Sequence, residues 1–507
     1  MVINDNIQVC LALPVRVGLH IGQGDVALVE ARRQLGPHRL LGISAKTRAH
    51  VEAARQLYTF PDQTTVPLAD YVGTGAVYGT FSKAKLADSD IIGVYGAAAA
   101  LSGCVAPLKD AKTGKDCPEI KNVIIGGINR KTAKRALVGA TGRDHRVDGI
   151  AVISDIYASD DPVQAAKELR ELMNTYHRTI DRPSAGTSKM HWVGASTKPS
   201  TDTRHLLSLV SQLQTAHMDS DATPPLVQTI TSHVSSTLSA NVALALRASP
   251  IMSHQAEEAD DLSRVTGGIV LNIGTIGPES REGMRAVGQA SNNTGKPIVL
   301  DPVGMGASGF RKQVVHDLLA QTAITLIKGN AAELGCLADN IEVEARGVDA
   351  GRGVIANPVE LVKGVAKKFG TLVLLSGKVD YLTDGERTLA VENGSPLLGR
   401  ITGSGCALGV ALAVGMARAC AVSQADAATG GKKQEKRTNI GALVVDADPE
   451  LLFAGAVMAL LSVTIASEQA AKSDGCKGPG TFVPAWLDAL STIDAEILVK
   501  QAKVAFV

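Results

Sequence analysis

Aromatic side chains are scarce in this chain: Phe, Trp and Tyr together make up 3% of its 507 residues. A core without them has to be filled by Ala, Val, Leu and Ile, and Gly is plentiful at 51 residues. Small residues of this kind suit closely packed helix-on-strand layers. A charge bias is also lacking, with 51 Lys and Arg against 50 Asp and Glu and a net charge of +1. That removes the electrostatic case for nucleic acid or an anionic membrane surface as partner. The seven cysteines, at 10, 104, 117, 336, 406, 420 and 476, are odd in number, scattered and without a C-x-x-C pair. This argues against a disulfide framework or structural zinc, and for a reducing, cytoplasmic setting. No basic stretch followed by an apolar one opens the chain, so no secretory signal is expected. The uncharged run 451–467 is rich in Ala, Gly and Ser and falls short of the about 20 mainly apolar residues of a membrane span. It predicts a buried helix.

What is present is two strand–helix patterns separated by a polar segment, and the length itself implies two domains. Residues 1–175 carry strand candidates at 2–3, 17–21, 40–43, 71–75, 123–125 and 149–153. Helical stretches lie between them, at 26–35 and 47–57, and a last one at 162–174 is capped by Asp160 or Asp161. Such alternation implies parallel strands. Six strands are two fewer than the eight that close a (β/α)8 barrel, so an incomplete TIM-type barrel is expected. Residues 176–222 are rich in Ser, Thr, His, Asp and Pro and read as a linker, with an amphipathic helix at 204–218. From 223 to 507 a second α/β pattern runs, with strand candidates at 268–273, 298–301, 324–328 and 371–375. The polar stretch 423–447, with Lys-Lys-Gln-Glu-Lys-Arg at 432–437, reads as a surface insertion.

Four motifs in the second half follow strands. Asp301-Pro302-Val303-Gly304 places a carboxylate at a strand end, suited to magnesium or phosphate chemistry. Lys328-Gly329-Asn330 and Glu333 come next, where Glu333 either serves a hard cation or completes a helix cap with Asn330. Ser376-Gly377-Lys378 is third. The fourth, Thr402-Gly403-Ser404-Gly405-Cys406, opens an apolar helix at 407–416. Glycines at a helix start let backbone N–H groups face an anion. Cys406 there is either a base or orienting group beside a phosphate, or a buried helix-start residue. In the first half, Asn4-Asp5, Gly22-Gln23-Gly24-Asp25, Ser44, Gly126-Gly127 and Ile153-Ser154 also follow strands or close them. Tyr78-Gly79-Thr80-Phe81-Ser82-Lys83 adds hydroxyls and an amine.

Residues 224–492 resemble the hydroxyethylthiazole kinases, which are ribokinase-like small-molecule kinases with a three-layer α/β/α fold. The resemblance is carried by segments such as Thr237-Leu238-Ser239-Ala240-Asn241, Ala248-Ser249-Pro250-Ile251-Met252, Leu271-Asn272-Ile273-Gly274-Thr275 and the four motifs above. It implies ATP-dependent phosphorylation of 4-methyl-5-(2-hydroxyethyl)thiazole. The thiazole would lie against Met252 and Gly403, and ATP against Lys328 and Ser376. The amides of Gly403, Ser404 and Gly405 would form an anion hole, with Cys406 as base or orienting group. Magnesium would be met through Asp301 and Glu333. Lys328 stands where most members carry Arg, keeping the charge without the bidentate fork.

Residues 1–175 resemble thiamine phosphate synthase, a (β/α)8 enzyme. The resemblance implies that Asn4, Ser44 and Lys83 contact a pyrimidine diphosphate and that Asp5 and Asp25 hold magnesium. Thr80, Ser82, Gly127, Ile153 and Ser154 would line a thiazole phosphate pocket. The family's Gln-x-Arg-x-Lys strand end is absent, so a truncated synthase half is expected. An alternative follows, in which only the kinase acts and the N-terminal half is a noncatalytic binding or assembly module. The kinase resemblance also implies a homo-oligomer, a trimer or larger.

Overall fold

The computed structural model describes residues 2–79, 90–102, 119–142, 145–179, 199–219, 223–338, 357–428, 445 and 447–507. Two compact units divide at Met1–Met190 and His191–Val507.

In the first unit, strands Val2–Asn4, Gly18–Ile21, Leu41–Ala45, Tyr71–Thr74, Lys121–Ile125 and Gly149–Ala151 form one sheet. All pairings are parallel, and the strands lie side by side in chain order. This is the wall arrangement of a (β/α)8 barrel, built from six strands. Buried Leu19, Ile21, Leu41, Ile43, Val72 and Ile124 supply its core. Gly42 is required at its place, because a Cβ there would fall 2.0 Å from the Tyr71 ring. The helix expected at 47–57 is shorter. It runs Arg48–Ala54 with Thr47 as its cap, and the chain then turns into an antiparallel pair, Leu57–Thr59 with Thr65–Pro67. The last helix, Pro162–Thr179, starts where Asp161 Oδ1 accepts the Gln164 N–H at 2.9 Å. It runs past the expected boundary at 175. Buried Tyr176 belongs to this unit, its hydroxyl hydrogen-bonded to Thr141 Oγ1 at 2.6 Å and to the Val147 N–H at 2.9 Å.

The second unit is a nine-stranded sheet in a layered α/β arrangement. Six parallel strands lie in the order Ser249–Ile251, Leu226–Ile230, Gly268–Asn272, Ile298–Asp301, Leu326–Gly329 and Leu372–Leu375. Three antiparallel strands, Asp380–Thr383, Thr388–Val391 and Val504–Phe506, extend it. Two apolar helices, Ser404–Ala428 and Pro449–Lys472, pack against each other. They touch through Gly415 and Gly455, where a Cβ on either would lie within 2.5 Å of the other's carbonyl oxygen. Both are long and apolar enough to cross a membrane, yet 78% and 94% of their most apolar windows are buried inside this unit. They are core helices.

Much of the segment read as a linker is built into this unit. Helix Thr203–Met218, capped by Asp202, buries Leu206, Val210 and Leu213. Its Gln214 donates to the Ile493 carbonyl at 2.7 Å, and His217 Nε2 lies 2.6 Å from the Leu246 carbonyl. Of the expected insertion, residues 423–428 continue the helix from Ser404, while 429–444 lie outside the described residues.

Candidate active sites

The C-terminal ends of the parallel strands converge on one charged group in the second unit. Lys328, in the strand Leu326–Gly329, places its Nζ 3.0 Å from Asp301 Oδ1, with side chains 6% and 0% exposed. Asn272, at the end of the neighbouring strand, donates to Asp301 Oδ2 at 2.9 Å. Burial pushes the Asp301 carboxyl up, against the opposing pull of Lys328. Burial works to lower the Lys328 ammonium, but Asp301, Glu333 and Cys406 outweigh it and hold it above its ordinary value. Lys328 therefore stays charged.

Directly above this pair stands the start of helix Ser404–Ala428. Gly403 has a φ of 83°, and a Cβ there would lie 2.9 Å from the Ser235 Cβ, so only glycine makes this turn without strain. A Cβ on Gly405 would lie 3.1 Å from Lys328 Nζ. The helix N-terminus thus presents its unpaired amides over a buried cation, a setting for an anion. Half-buried Cys406 sits in the first turn. Burial pushes its thiol up, and Asp301 adds to that; Ser235, Lys328 and Asn272 pull the other way.

Glu333 takes the capping arrangement. Its Oε2 accepts the Asn330 N–H and its own N–H donates to Asn330 Oδ1, while Oε1 accepts the Gly304 N–H at 2.9 Å. Both carboxylate oxygens of Glu333 and both of Asp301 thus already accept protein donors. Ser376 follows the strand Leu372–Leu375 and bonds back to the Gly329 carbonyl, its N–H at 2.9 Å. Asp380 staples that turn by accepting the Gly377 N–H at 2.8 Å, and burial pushes its carboxyl up to about 7. Met252 is half-buried just past the edge strand Ser249–Ile251, two strands away from Asn272. No described contact joins it to Gly403.

In the first unit, Asn4 and Asp5 are exposed at the end of strand Val2–Asn4, with Asn4 Nδ2 donating to Asp5 Oδ2 at 2.8 Å. Asp5 has a φ of 65°, a conformation Asp tolerates better than most residues, and its N–H donates to the His20 carbonyl. Asp25 follows the adjacent strand and accepts the Gly22 N–H at 2.6 Å. Ser44 lies in the third strand, 3.0 Å from His20 Nε2, and the other ring nitrogen of His20 is 3.0 Å from the Tyr71 hydroxyl. Gly127, with a φ of 63°, packs so closely on the 76–79 loop that a Cβ would lie 2.4 Å from the Gly79 carbonyl oxygen. Ile153 and Ser154 are exposed after the last strand. Thr80, Ser82 and Lys83 lie outside the described residues. Among the described residues, no three His, Cys, Asp or Glu side chains gather as a metal site.

Several residues of these sites were missed by sequence reasoning. Arg311 donates to the carbonyls of Ile273, Val303 and Gly274 at 2.9, 2.9 and 3.1 Å, tying two site loops together. Ser235, His20 and Tyr71 are others. Only His20 had a local signal, a polar residue inside an apolar strand.

Residues 219–431 match the hydroxyethylthiazole kinase family, and residues 1–156 match thiamine monophosphate synthase. The chain is 31% identical, over 98% of its length and 83% of the relative's, to a probable thiamine biosynthetic bifunctional enzyme of Schizosaccharomyces pombe. It is 40% identical to a hydroxyethylthiazole kinase of Listeria monocytogenes, over 55% of this chain and 92% of that one. A solved hydroxyethylthiazole kinase from Pyrococcus horikoshii covers 60% of this chain and 100% of its own, with 29% identity and a TM-score of 0.45. Topology and sites define a two-domain α/β enzyme, a ribokinase-like small-molecule kinase preceded by a TIM-type domain. The chain belongs to the bifunctional thiamine biosynthetic enzymes, with a thiamine phosphate synthase domain followed by a hydroxyethylthiazole kinase domain. The match over residues 1–156 identifies the N-terminal half as a synthase-family domain and favours the bifunctional reading over the alternative of a noncatalytic module.

Proposed function

We propose that the chain phosphorylates 4-methyl-5-(2-hydroxyethyl)thiazole with ATP and joins the product to hydroxymethylpyrimidine diphosphate, forming thiamine phosphate and pyrophosphate. The observation that carries the kinase step is the buried Lys328–Asp301 pair beneath the Cys406 helix start. The substrate alcohol attacks the γ-phosphorus as the bond to the departing ADP oxygen breaks, and the alcohol's proton passes to solvent water. Catalysis is then mainly positioning and charge stabilisation. The amides of Gly403, Ser404 and Gly405 would receive the transferring phosphoryl, and Lys328 supplies a fixed positive charge behind them. With its thiol pushed up, Cys406 holds its proton near neutral pH, so it orients the alcohol by hydrogen bonding rather than waiting as a thiolate. Ser376 would face the ATP phosphates and Met252 the thiazole.

Magnesium would enter with ATP and neutralise phosphate charge. Asp301 and Glu333 would meet it through water, since their oxygens already hold protein donors. In the synthase domain, exposed Asp5 and Asp25 follow neighbouring strands and would hold the diphosphate's magnesium. Asn4, Ser44 and Lys83 would contact that diphosphate. Gly127, Ile153 and Ser154, with Thr80 and Ser82, would take the thiazole phosphate. The protein would act in the cytoplasm as a homo-oligomer. Purified chain incubated with ATP, magnesium and the thiazole should release ADP and thiazole monophosphate. Turnover of ribose or of hydroxymethylpyrimidine in place of the thiazole would overturn the substrate assignment.

A further inference from the structure

Arg311 stands in the first turn of helix Gly309–Gln321, where a positive side chain works against the helix dipole. Three backbone carbonyls offset that cost. Its Nη1 donates to Ile273 and Val303 at 2.9 Å each, and its Nη2 donates to Gly274 at 3.1 Å. The carbonyls belong to two separate loops, one after strand Gly268–Asn272 and one after strand Ile298–Asp301. A planar guanidinium holds both at one fixed separation, which the single nitrogen of an ammonium does not.

The first of these loops carries the tie further. A Cβ on Gly274 would lie 2.7 Å from the Ser232 Cβ, so the loops after Leu226–Ile230 and Gly268–Asn272 are pressed together. Thr275 Oγ1 lies 3.3 Å from Ser232 Oγ and accepts the His233 N–H at 3.3 Å. Ser235 donates its N–H to the Ser232 carbonyl at 3.1 Å and packs against Gly403. Contacts therefore run from Arg311 through two loops to the glycine turn at the helix start. In the order of the sheet, all three loops lie on the Met252 side of Lys328 and Ser376.

We propose that Arg311 is a positioning residue for the phosphoryl acceptor, its guanidinium clamping the loops that hold the alcohol against the Gly403 turn. The proposal rests on the kinase reading above. A residue that only filled space in a first helical turn would need neither a positive charge nor a fork. The turn at Ser376 is fastened separately, by the Gly329 carbonyl and Asp380, so the clamp acts on one substrate rather than both.

Arg311→Met removes every donor, and Arg311→Lys keeps the charge without the fork. Both variants are made in the full chain, and steady-state kinetics are measured against the thiazole and against ATP. Thermal melts are recorded on the same preparations. In Arg311→Met, kcat/KM for the thiazole is expected to fall on the order of 10²-fold, the scale of a misplacement of about 1 Å at the reacting groups. KM for ATP should stay within about 3-fold. Arg311→Lys should recover on the order of 10-fold of the loss, the worth of one charged hydrogen bond. Near-normal kcat/KM for the thiazole in folded Arg311→Met would overturn the proposal. So would KM for ATP rising in step with the loss toward the thiazole, full recovery in Arg311→Lys, or loss of a cooperative melt in both variants. A wild-type chain that leaves the thiazole unphosphorylated would instead sink the kinase reading itself.

Discussion

Cys406 occupies a spot that makes a thiol a poor resident base and a good hydrogen-bond partner. Cys406→Ala should lower kcat for the thiazole on the order of 10²-fold, the scale of losing one positioned hydrogen-bonding group, and leave ATP affinity nearly intact. The proposed anion hole is made of backbone amides and would survive the change. Cys406→Asp should retain turnover, because a carboxylate can orient the same hydroxyl. Near-normal kcat in Cys406→Ala would reduce the residue to packing. Lys328 has a different role, because removing it strands the buried Asp301 charge. Lys328→Met should destabilise the second unit by about 3–5 kcal/mol, the cost of breaking a buried pair from one side, as read by urea unfolding. Asp380 offers a pH test. Burial pushes its carboxyl up to about 7, so the native state holds a proton that the unfolded chain releases above its ordinary carboxylate value of 3.8. Its contribution to stability is therefore fully present below that value and is lost as pH rises toward 7. Asp380→Asn keeps an acceptor for the Gly377 N–H and cannot ionise. Its melting temperature should gain on the wild type as pH goes from 5 to 8; a constant difference across that range would contradict this. At this scale much of the kinase site was legible, because Asp301, Lys328 and Ser376 interrupt or end apolar runs. Arg311 and Ser235 were not, since their partners lie in other segments and a helical Arg looks the same whether it meets water or three carbonyls.

Helix Thr203–Met218 shows how an element can be recognised and misplaced. Its amphipathic spacing was readable, and its bounds were close to those observed. What the spacing could not show was which body its apolar face covers. That face lies on the kinase unit, through Leu206, Val210, Leu213 and the polar ties of Gln214 and His217. Leu213→Ala should therefore lower kinase-unit stability by about 2–5 kcal/mol, the range for a fully buried leucine. Unchanged stability would return the segment to the status of a tether. The six parallel strands of the first unit and four of the six in the second were legible as short apolar runs ending in polar or glycine residues; Leu226–Ile230 and Ser249–Ile251 were not, the one carrying Gln228 and Thr229 and the other only three residues long. The three antiparallel strands at the other end of the sheet were not. They are three or four residues long, and the last, Val504–Phe506, joins a strand more than a hundred residues earlier in the chain.

At the scale of the whole molecule, the two units are chemically ordered. The thiazole phosphate made by the second is what the first would consume, so one chain would convert thiazole, ATP and a pyrimidine diphosphate into thiamine phosphate, ADP and pyrophosphate. Six strands and the absent Gln-x-Arg-x-Lys strand end motivate the alternative of a noncatalytic N-terminal half, while the synthase match over residues 1–156 favours the bifunctional reading. Counting strands says nothing of whether Asn4, Asp5, Asp25 and Ser44 still assemble. The most direct measurement starts the synthase reaction from two points with the same pyrimidine diphosphate and magnesium: from thiazole plus ATP, and from thiazole phosphate alone. The account predicts thiamine phosphate and pyrophosphate from both in the wild type. In Cys406→Ala it predicts a strong slowing only from the unphosphorylated thiazole. Failure of the wild type to form thiamine phosphate from thiazole phosphate would contradict the claim that this chain carries both activities.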